Sequence, residues 1–159
     1  MNETLFEILK TCERHADRLQ WAMQQLQIVV PFSSERLTQL TEIELAILDQ
    51  FSTRFGKLQD AMGAKLFPEV LELTKEPGDL KAFIDKLYRL EKIGAIPSAD
   101  EWLLMREIRN SFSHDYPDDL MLQAAMLNKA YEFAAQLLDV FMGIKDFIQL
   151  YTQKRSSEI

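Results

Sequence analysis

Apolar residues recur at steps of three and four along almost the whole chain, and this periodicity constrains the fold more than any other feature. It is the spacing that places side chains on one face of an α-helix. Few residues interrupt it, because the 159 residues include only five glycines and five prolines. We find no alternation of apolar and polar residues of the kind that marks a half-buried β-strand. The sequence therefore predicts an all-α fold, an up-and-down bundle of four or five main helices.

Local breakers and caps divide the chain into predicted helices. The first spans residues 2–26, and a long second helix begins after an N-cap at Ser34 and ends near Lys65. Small residues on one face of this second helix would let another helix approach closely: Gly56, Gly63 and Ala64. Pro68 is predicted to open a short helix that fades near Thr74.

Three further signals define the C-terminal half. Gly94 is expected to end a helix that begins near Leu80. Ser98 and Glu101 form a capping-box pattern before a helix that ends near residue 115 and turns inward Trp102, Met105, Ile108 and Phe112. Asp118 or Asp119 caps a last helix to about Gln153, with a predicted apolar stripe of Met121, Ala125, Asn128, Ala135, Leu138 and Met142. We expect one domain over residues 1–153 and a loose polar tail at 154–159.

Charge and cysteine content limit the possible environments. The net charge is −7, so an RNA site would have to be a local basic region on an acidic surface. The single cysteine, Cys12, excludes an intramolecular disulfide and is expected to be a small core residue. His15, among charged neighbours, is expected to be solvated. No apolar run is long enough to cross a bilayer and no signal peptide is evident, so we expect a cytoplasmic protein without membrane association.

The stretch of residues 106–117 concentrates chemically capable side chains at the end of a predicted helix. Arg106, Arg109 and Ser113 recur at helical spacing, and His114 lies five residues after Arg109. A guanidinium fork suits two phosphate oxygens, and an imidazole exchanges protons near neutral pH. Asn110 would orient the imidazole or bind the phosphate. This set suits metal-independent cleavage of RNA, whose 2′-hydroxyl is a built-in nucleophile.

A symmetric dimer would complete such a site. One histidine cannot easily act as base and acid on opposite sides of an in-line displacement, whereas a two-fold axis would pair two copies of His114 and of Arg109. Long helices with wide apolar faces in so small a chain also favour burial against a second subunit. The sequence therefore predicts a homodimer.

The residues from Arg109 to Tyr116 match an R-x4-H-x-Y pattern, which resembles that of HEPN-domain ribonucleases. Within that group the chain resembles the HepT-like toxin branch, formerly described as nucleotidyltransferase substrate-binding proteins. The resemblance covers about residues 5–150. Outside the pattern it rests on the segments 55–60, 63–67, 93–98 and Glu101-Trp102.

The resemblance implies a dimeric helical bundle that cleaves RNA without a metal or other cofactor and leaves a 2′,3′-cyclic phosphate. It implies catalytic roles for Arg109 and His114 and a supporting role for Asn110. It further implies a partner, a minimal nucleotidyltransferase antitoxin, that transfers AMP to Tyr116 and thereby excludes RNA by bulk and charge. The acidic composition favours the alternative of a non-catalytic helical module that binds nucleotides or a partner.

A purely structural interpretation of the same residues also remains open. Arg109 could be a surface arginine paired with Glu107 or Asp115, and His114 could cap the end of the helix. Tyr116 could be a packed tyrosine whose hydroxyl faces solvent.

Overall fold

The protein is described here by a computed structural model that covers residues 2–76, 78, 80–111 and 118–158. Over these residues the fold is all-α without a β-strand, as the periodicity predicts. The helices are α1 (Glu3–Leu26), α2 (Ser34–Thr38), α3 (Glu42–Ala61), a π-helical segment (Met62–Leu66), α4 (Phe67–Leu73), α5 (Phe83–Lys92), α6 (Ala99–Ser111) and α7 (Leu120–Ser157).

Helix α1 packs against α3 on one side and against α7 on another. It runs antiparallel to α7, because Lys145 Nζ donates to Glu13 near the middle of α1 while the Tyr131 hydroxyl donates to the Met23 carbonyl near its end. The core between these helices is apolar, and α1 contributes to it Leu5, Cys12, Ala16, Leu19, Ala22 and Leu26. Cys12 belongs to this core and is 0% exposed, as expected.

Helix α6 packs antiparallel to α3 along the small-residue face identified in the sequence. A Cβ atom added at Gly63 would lie 3.5 Å from the Trp102 ring, and one added at Gly56 would lie 3.6 Å from Arg109 Nε. These glycines therefore let the side chains of α6 approach the backbone of the neighbouring helix, as predicted. This close packing holds Arg109 on α6 beside α3.

The predicted long helix after residue 33 is wrong at its beginning. Ser33, rather than Ser34, accepts the capping hydrogen bond, and the short helix α2 ends at Thr38. A second helix, α3, begins after Thr41, which forms a reciprocal capping box with Glu44. A pattern of Thr followed three residues later by Glu is a local start signal, and it outweighs the continuous apolar periodicity around it.

The predicted end of this helix near Lys65 is also wrong. The chain continues from α3 through the π-helical segment into α4 without a break, and Phe67 N donates to the Met62 carbonyl across the wider π turn. Pro68 therefore lies inside the continuous helix rather than opening a separate one. Proline has no N–H to donate to the preceding turn of a helix. The helix nevertheless continues through Pro68, because the wider turn of the π-helical segment precedes it.

The predicted inward face of α7 is displaced by about one residue, although two of its members, Asn128 and Leu138, are half-buried. Met121, Ala125, Ala135 and Met142 are exposed, whereas the buried face is Ala124, Leu127, Ala130, Phe133, Ala134, Leu137, Val140, Phe141, Ile144 and Ile148. Apolar residues occur on nearly every side of this helix, so their spacing does not select one face. The helix also continues to Ser157, so the expected loose tail is helical over residues 154–157.

The predicted stop signal of α5 and the predicted start signals of α6 and α7 are observed, whereas α5 begins at Phe83 rather than near Leu80. Gly94 has a positive φ of 84° after α5, a conformation that glycine adopts without steric cost. The Ser98 hydroxyl accepts from Glu101 N before α6, and the Asp119 carboxylate accepts from the first amides of α7. No helix in the described part of the chain combines the length and the apolar composition needed to cross a membrane.

Candidate functional site

Arg109 lies in the last turn of α6 and forms a two-point ion pair with Asp60 of α3. Its Nε atom donates to Asp60 Oδ1 at 3.0 Å and its Nη2 atom donates to Asp60 Oδ2 at 2.8 Å. Parallel bonds of this kind fix the plane of a guanidinium as well as its position. The partner of Arg109 is therefore an acid of another helix, 49 residues away in sequence, rather than Glu107 as the structural interpretation suggested.

The electrostatics of this pair keep Arg109 charged. The hydrogen bonds that Arg109 donates to Asp60 raise the pKa of the Arg109 guanidinium, although its partial burial acts in the opposite direction. Its side chain is about a quarter exposed, and the Asp60 side chain is more than half exposed. The guanidinium is thus held rigidly at a surface that solvent and a ligand can reach.

Arg106 lies one turn before Arg109 and is held differently. Its guanidinium carbon is 4.9 Å from the centre of the Phe83 ring, which is the geometry of a cation–π contact. No acidic partner of Arg106 lies among the residues that the structure describes. Two arginines therefore line one end of α6, one paired with a carboxylate and one stacked on an aromatic ring.

A cavity of about 310 Å³ opens beside these arginines. Its lining residues come from α3, the π-helical segment, α5 and α6: Gln59, Asp60, Gly63, Ala64, Phe83, Trp102 and Arg106. Asp60 belongs to this wall and also binds Arg109, so the cavity and the arginine pair form one continuous site. We call it the α3–α6 site.

The remaining predicted site residues lie at or after the last described residues of α6. Asn110 is exposed in the last described turn of this helix, and Ser111 is its last described residue. Ser113, His114 and Tyr116 lie outside the described residues, as does Phe112, which was expected to point inward. The structure therefore brings Arg106 and Arg109 to one surface, while the predicted roles of His114 and Tyr116 stay predictions.

Sequence reasoning missed Asp60 and Gln59 as members of the site. A signal for both was present, since they lie between Gly56 and Gly63 at helical spacing. When another helix packs against a face of small residues, the polar residues on that same face also lie in the contact. No local feature of the sequence indicates that Arg109 is the side chain that pairs with Asp60.

His15 is half-buried, rather than fully solvated as the sequence suggested. Its Nδ1 atom lies 2.9 Å from Arg54 Nη1, across the contact between α1 and α3. An arginine only donates, so Nδ1 accepts and the imidazole is neutral. Burial, followed by the nearby charge of Arg54, lowers the pKa of His15.

No cluster suited to a metal ion occurs in the chain as far as it is described. Groups of three or more His, Cys, Asp or Glu side chains in ligand geometry are absent from residues 2–76, 78, 80–111 and 118–158.

Comparison of the chain with protein families, with curated protein sequences and with solved structures found no match.

Proposed function

We propose that this protein is a metal-independent endoribonuclease of the HEPN type, active as a homodimer and neutralised by a nucleotidyltransferase antitoxin. The observation that carries the proposal is the immobilised, solvent-accessible guanidinium of Arg109 at the end of α6. It belongs to the R-x4-H-x-Y pattern, and Arg106 adds a second positive charge one turn away. Together they supply the local basic region that an acidic chain needs in order to bind RNA.

In this mechanism the RNA supplies its own nucleophile. His114 of one protomer takes the proton of a 2′-hydroxyl, whose oxygen then bonds to the adjacent phosphorus. The bond from phosphorus to the 5′-oxygen breaks, and His114 of the partner subunit protonates that oxygen. The products are a 2′,3′-cyclic phosphate and a free 5′-hydroxyl, so no metal and no redox step are required.

Arg109 stabilises the negative charge that develops on the phosphate oxygens, because its fork of donors matches two of them. Asn110 orients the imidazole, while Arg106 and Ser113 bind the substrate backbone. When a phosphate binds, Arg109 must either break its hydrogen bonds to the Asp60 carboxylate or divide its N–H donors between the carboxylate and the phosphate. Asp60 therefore holds the guanidinium in place before binding and competes with RNA for it.

The test is cleavage of a mixed-sequence RNA in the presence of EDTA. We expect products that end in a 2′,3′-cyclic phosphate and their loss, by at least about 10²-fold in rate, in His114→Ala, since general acid–base catalysis contributes about that much or more. His15→Gln is a matched control, because it removes the other histidine of the chain but keeps an acceptor for Arg54.

Arg109→Lys tests the arginine separately. It retains the charge but loses the two-point geometry, so we expect cleavage to fall while the helix content stays unchanged. Cleavage that persists in His114→Ala, or that requires a divalent cation, would overturn the mechanism.

The alternative, a non-catalytic module that binds nucleotides or a nucleotidyltransferase, is favoured by one specific observation. The Asp60 carboxylate already occupies the fork of Arg109, within a chain of net charge −7. This alternative predicts no RNA products at all. Mass spectrometry after co-expression with a neighbouring nucleotidyltransferase would then find AMP on Tyr116 in a protein without ribonuclease activity.

A further inference from the structure

Three cations lie together at the contact between α1 and α3. Arg54 of α3 donates from Nη1 to the Nδ1 atom of His15 on α1 at 2.9 Å. Desolvation by burial lowers the pKa of this imidazole, and the charges of Arg54, Lys57 and Arg14 lower it further. These three side chains therefore lie close enough to one neutral histidine to act on it together. We call Arg14, Arg54 and Lys57 the α1–α3 basic cluster.

The cluster has no counter-charge in the described part of the chain. None of its three cations forms an ion pair with a carboxylate there. On α1, Glu13 pairs with Lys145, and Asp17 forms no ion pair with a described residue. The chain has 25 acidic and 18 basic residues, so the cluster is not left unpaired for lack of acids.

Arg54 makes the absence of a counter-charge more costly, because its side chain is half-buried. Its Nε atom is enclosed and has no hydrogen-bond partner among the described residues. Its hydrogen bond from Nη1 goes to a neutral imidazole rather than to a carboxylate. A charge removed from water is normally paired with an opposite charge. A bound anion would provide the charge that the described residues do not.

The outer members of the cluster are accessible to such an anion. Arg14 and Lys57 are exposed, on α1 and α3 respectively. They can contact a ligand directly, whereas Arg54 is held against α1 and contributes its charge from a fixed position. Such a group of unpaired cations raises the local concentration of anions even on an acidic protein.

Lys57 connects the cluster to Arg109 across the surface of α3. It lies three residues after Arg54 and three residues before Asp60, so the three follow one strip of the helix. Arg54 contacts α1 at one end of this strip, and Asp60 binds Arg109 of α6 at the other. Gly56, the residue before Lys57, lies against Arg109, since a Cβ there would be 3.6 Å from its Nε atom. Six residues of helix span only about 9 Å, so the cluster lies close to the Arg109 site.

We propose that the α1–α3 basic cluster is a track for the RNA backbone and leads away from the phosphate bound at Arg109. The inference rests on the proposed function for its substrate class. Single strands are bound without sequence preference by positively charged grooves that follow their phosphates. Arg14 and Lys57 bind phosphates that flank the cleaved one, and Arg54 attracts them by its charge. The carboxylate of Asp60 lies beside this path, and Arg109 offsets its charge.

The salt dependence of RNA binding tests the track. Fluorescence anisotropy with a labelled unpaired dodecamer, in a His114→Ala background, measures affinity without cleavage. Each phosphate contact contributes about −0.7 to the slope of log K against log salt concentration for a single strand. Arg14→Gln and Lys57→Gln should each reduce the magnitude of this slope by about that amount. Each should also weaken binding by about fivefold at low salt.

Lys154→Gln is the matched control, because it makes the same charge change on an exposed residue at the end of α7. All three substitutions replace exposed side chains, so the melting temperature should stay close to that of the parent protein. Equal losses of affinity in all three variants would show that only net charge matters and would overturn the track.

His15 reports locally on the same binding event. The chain has two histidines, so His15 is the only one left in the His114→Ala background, and NMR can follow its imidazole through a pH titration. Phosphates at Arg14 and Lys57 bring negative charge near the ring, so the dodecamer should raise the pKa of His15. Chloride at equal ionic strength should not do so.

Two results of this titration would contradict the track. An unchanged pKa of His15 in the presence of saturating dodecamer would show that the strand does not reach the cluster. A rise with sulfate as large as that with RNA would assign the cluster to free oxyanions rather than to a strand.

The track and the proposed function can fail separately. RNA cleavage by the wild-type protein, with unchanged salt dependence of binding in Arg14→Gln and Lys57→Gln, would overturn the track and leave the endoribonuclease intact. RNA binding that raises the pKa of His15, for a protein whose wild-type form cleaves no RNA, would retain the track as a binding surface and overturn the catalytic proposal.

Discussion

At the scale of single residues, the pair of Arg109 and Asp60 governs what the candidate site can do. Both hydrogen bonds are well formed, yet Asp60 is more than half exposed. Exposed ion pairs contribute only about 0–1 kcal/mol to folding, because water already solvates both charges. The pair therefore affects ligand binding at Arg109 more than it affects stability.

Asp60→Asn is expected to tighten RNA binding by about fivefold. It removes a negative charge next to the phosphate position, and two charges 4 Å apart interact by about 1 kcal/mol even in bulk water. Fluorescence anisotropy with a labelled RNA measures the affinity, in a His114→Ala background that prevents cleavage. Asp49→Asn makes the same charge change on an exposed residue of α3 and serves as the control. Equal tightening in both variants would show that only net charge matters.

Cys12 is expected to be chemically inert in the native protein. It is fully buried, and that burial raises the pKa of its thiol to about 12. The reactive form of cysteine is the thiolate, so an aromatic disulfide reagent at pH 8 should modify the thiol only after unfolding in guanidinium chloride. Rapid modification under native conditions would contradict the packing of α1 against its neighbours.

At the scale of helices, local caps decide where each helix begins. Thr41 accepts from Glu44 N at 3.1 Å, and the Glu44 carboxylate accepts from Thr41 N at 3.0 Å. This reciprocal pair satisfies amides that the first turn of a helix leaves unpaired. It separates α3 from α2 although apolar residues continue across the break.

Thr41→Ala is therefore expected to lower the free energy of unfolding by about 1 kcal/mol. The midpoint of urea denaturation, followed by circular dichroism, measures the change. Thr53→Ala replaces an exposed threonine inside the same helix and should alter stability by less than about 0.5 kcal/mol. A loss of the same size in both variants would exclude a capping effect.

The contact between α1 and α3 is expected to depend on pH through His15. Its pKa is lower in the folded protein than in the unfolded chain, so the unfolded state binds more protons between the two values. This contribution to stability is fully present above about pH 6.5 and is lost as the pH falls below it. Melting temperatures at pH 5.5 and 7.5 should differ less in His15→Gln than in the wild-type protein.

At the scale of the whole molecule, several large apolar side chains stay exposed on two surfaces. One lies between α1 and α3 and includes Trp21 and Ile43. The other lies on α6 and at the start of α7, where Leu104, Leu120, Met121 and Leu122 are exposed. Only the second surface flanks the R-x4-H segment along the chain, so a dimer that pairs the two motifs would cover it.

Met121→Asp is expected to weaken the proposed dimer, because it places a charge in an apolar interface. Ile43→Asp is a close control, since Met121 is 75% and Ile43 is 74% exposed in the single chain. Light scattering over a dilution series measures the assembly, and cleavage assays measure activity. Dissociation by Ile43→Asp alone would place the interface between α1 and α3 and would contradict a cleft shared by two motifs.

The sequence by itself determined which segments form helices, because the spacing of apolar residues and the helix caps act over only a few residues. The periodicity of α1, the glycine after α5 and the caps of α6 and α7 could all be predicted, as could the small-residue face of α3. The break at Thr41 could also have been predicted from its capping box. The pattern at residues 109–116 could be found in the sequence because it is defined by residue types and their spacing alone.

The tertiary structure alone decided which groups meet. Asp60 and Arg109 are 49 residues apart, and no local pattern indicates that these two charges pair rather than others. The sequence could not predict which face of α7 is buried, for a different reason. A helix with apolar residues on nearly every side takes its orientation only from the helices that pack against it. Helix formation is local, whereas the choice of partners depends on how the helices pack, and that packing created the α3–α6 site.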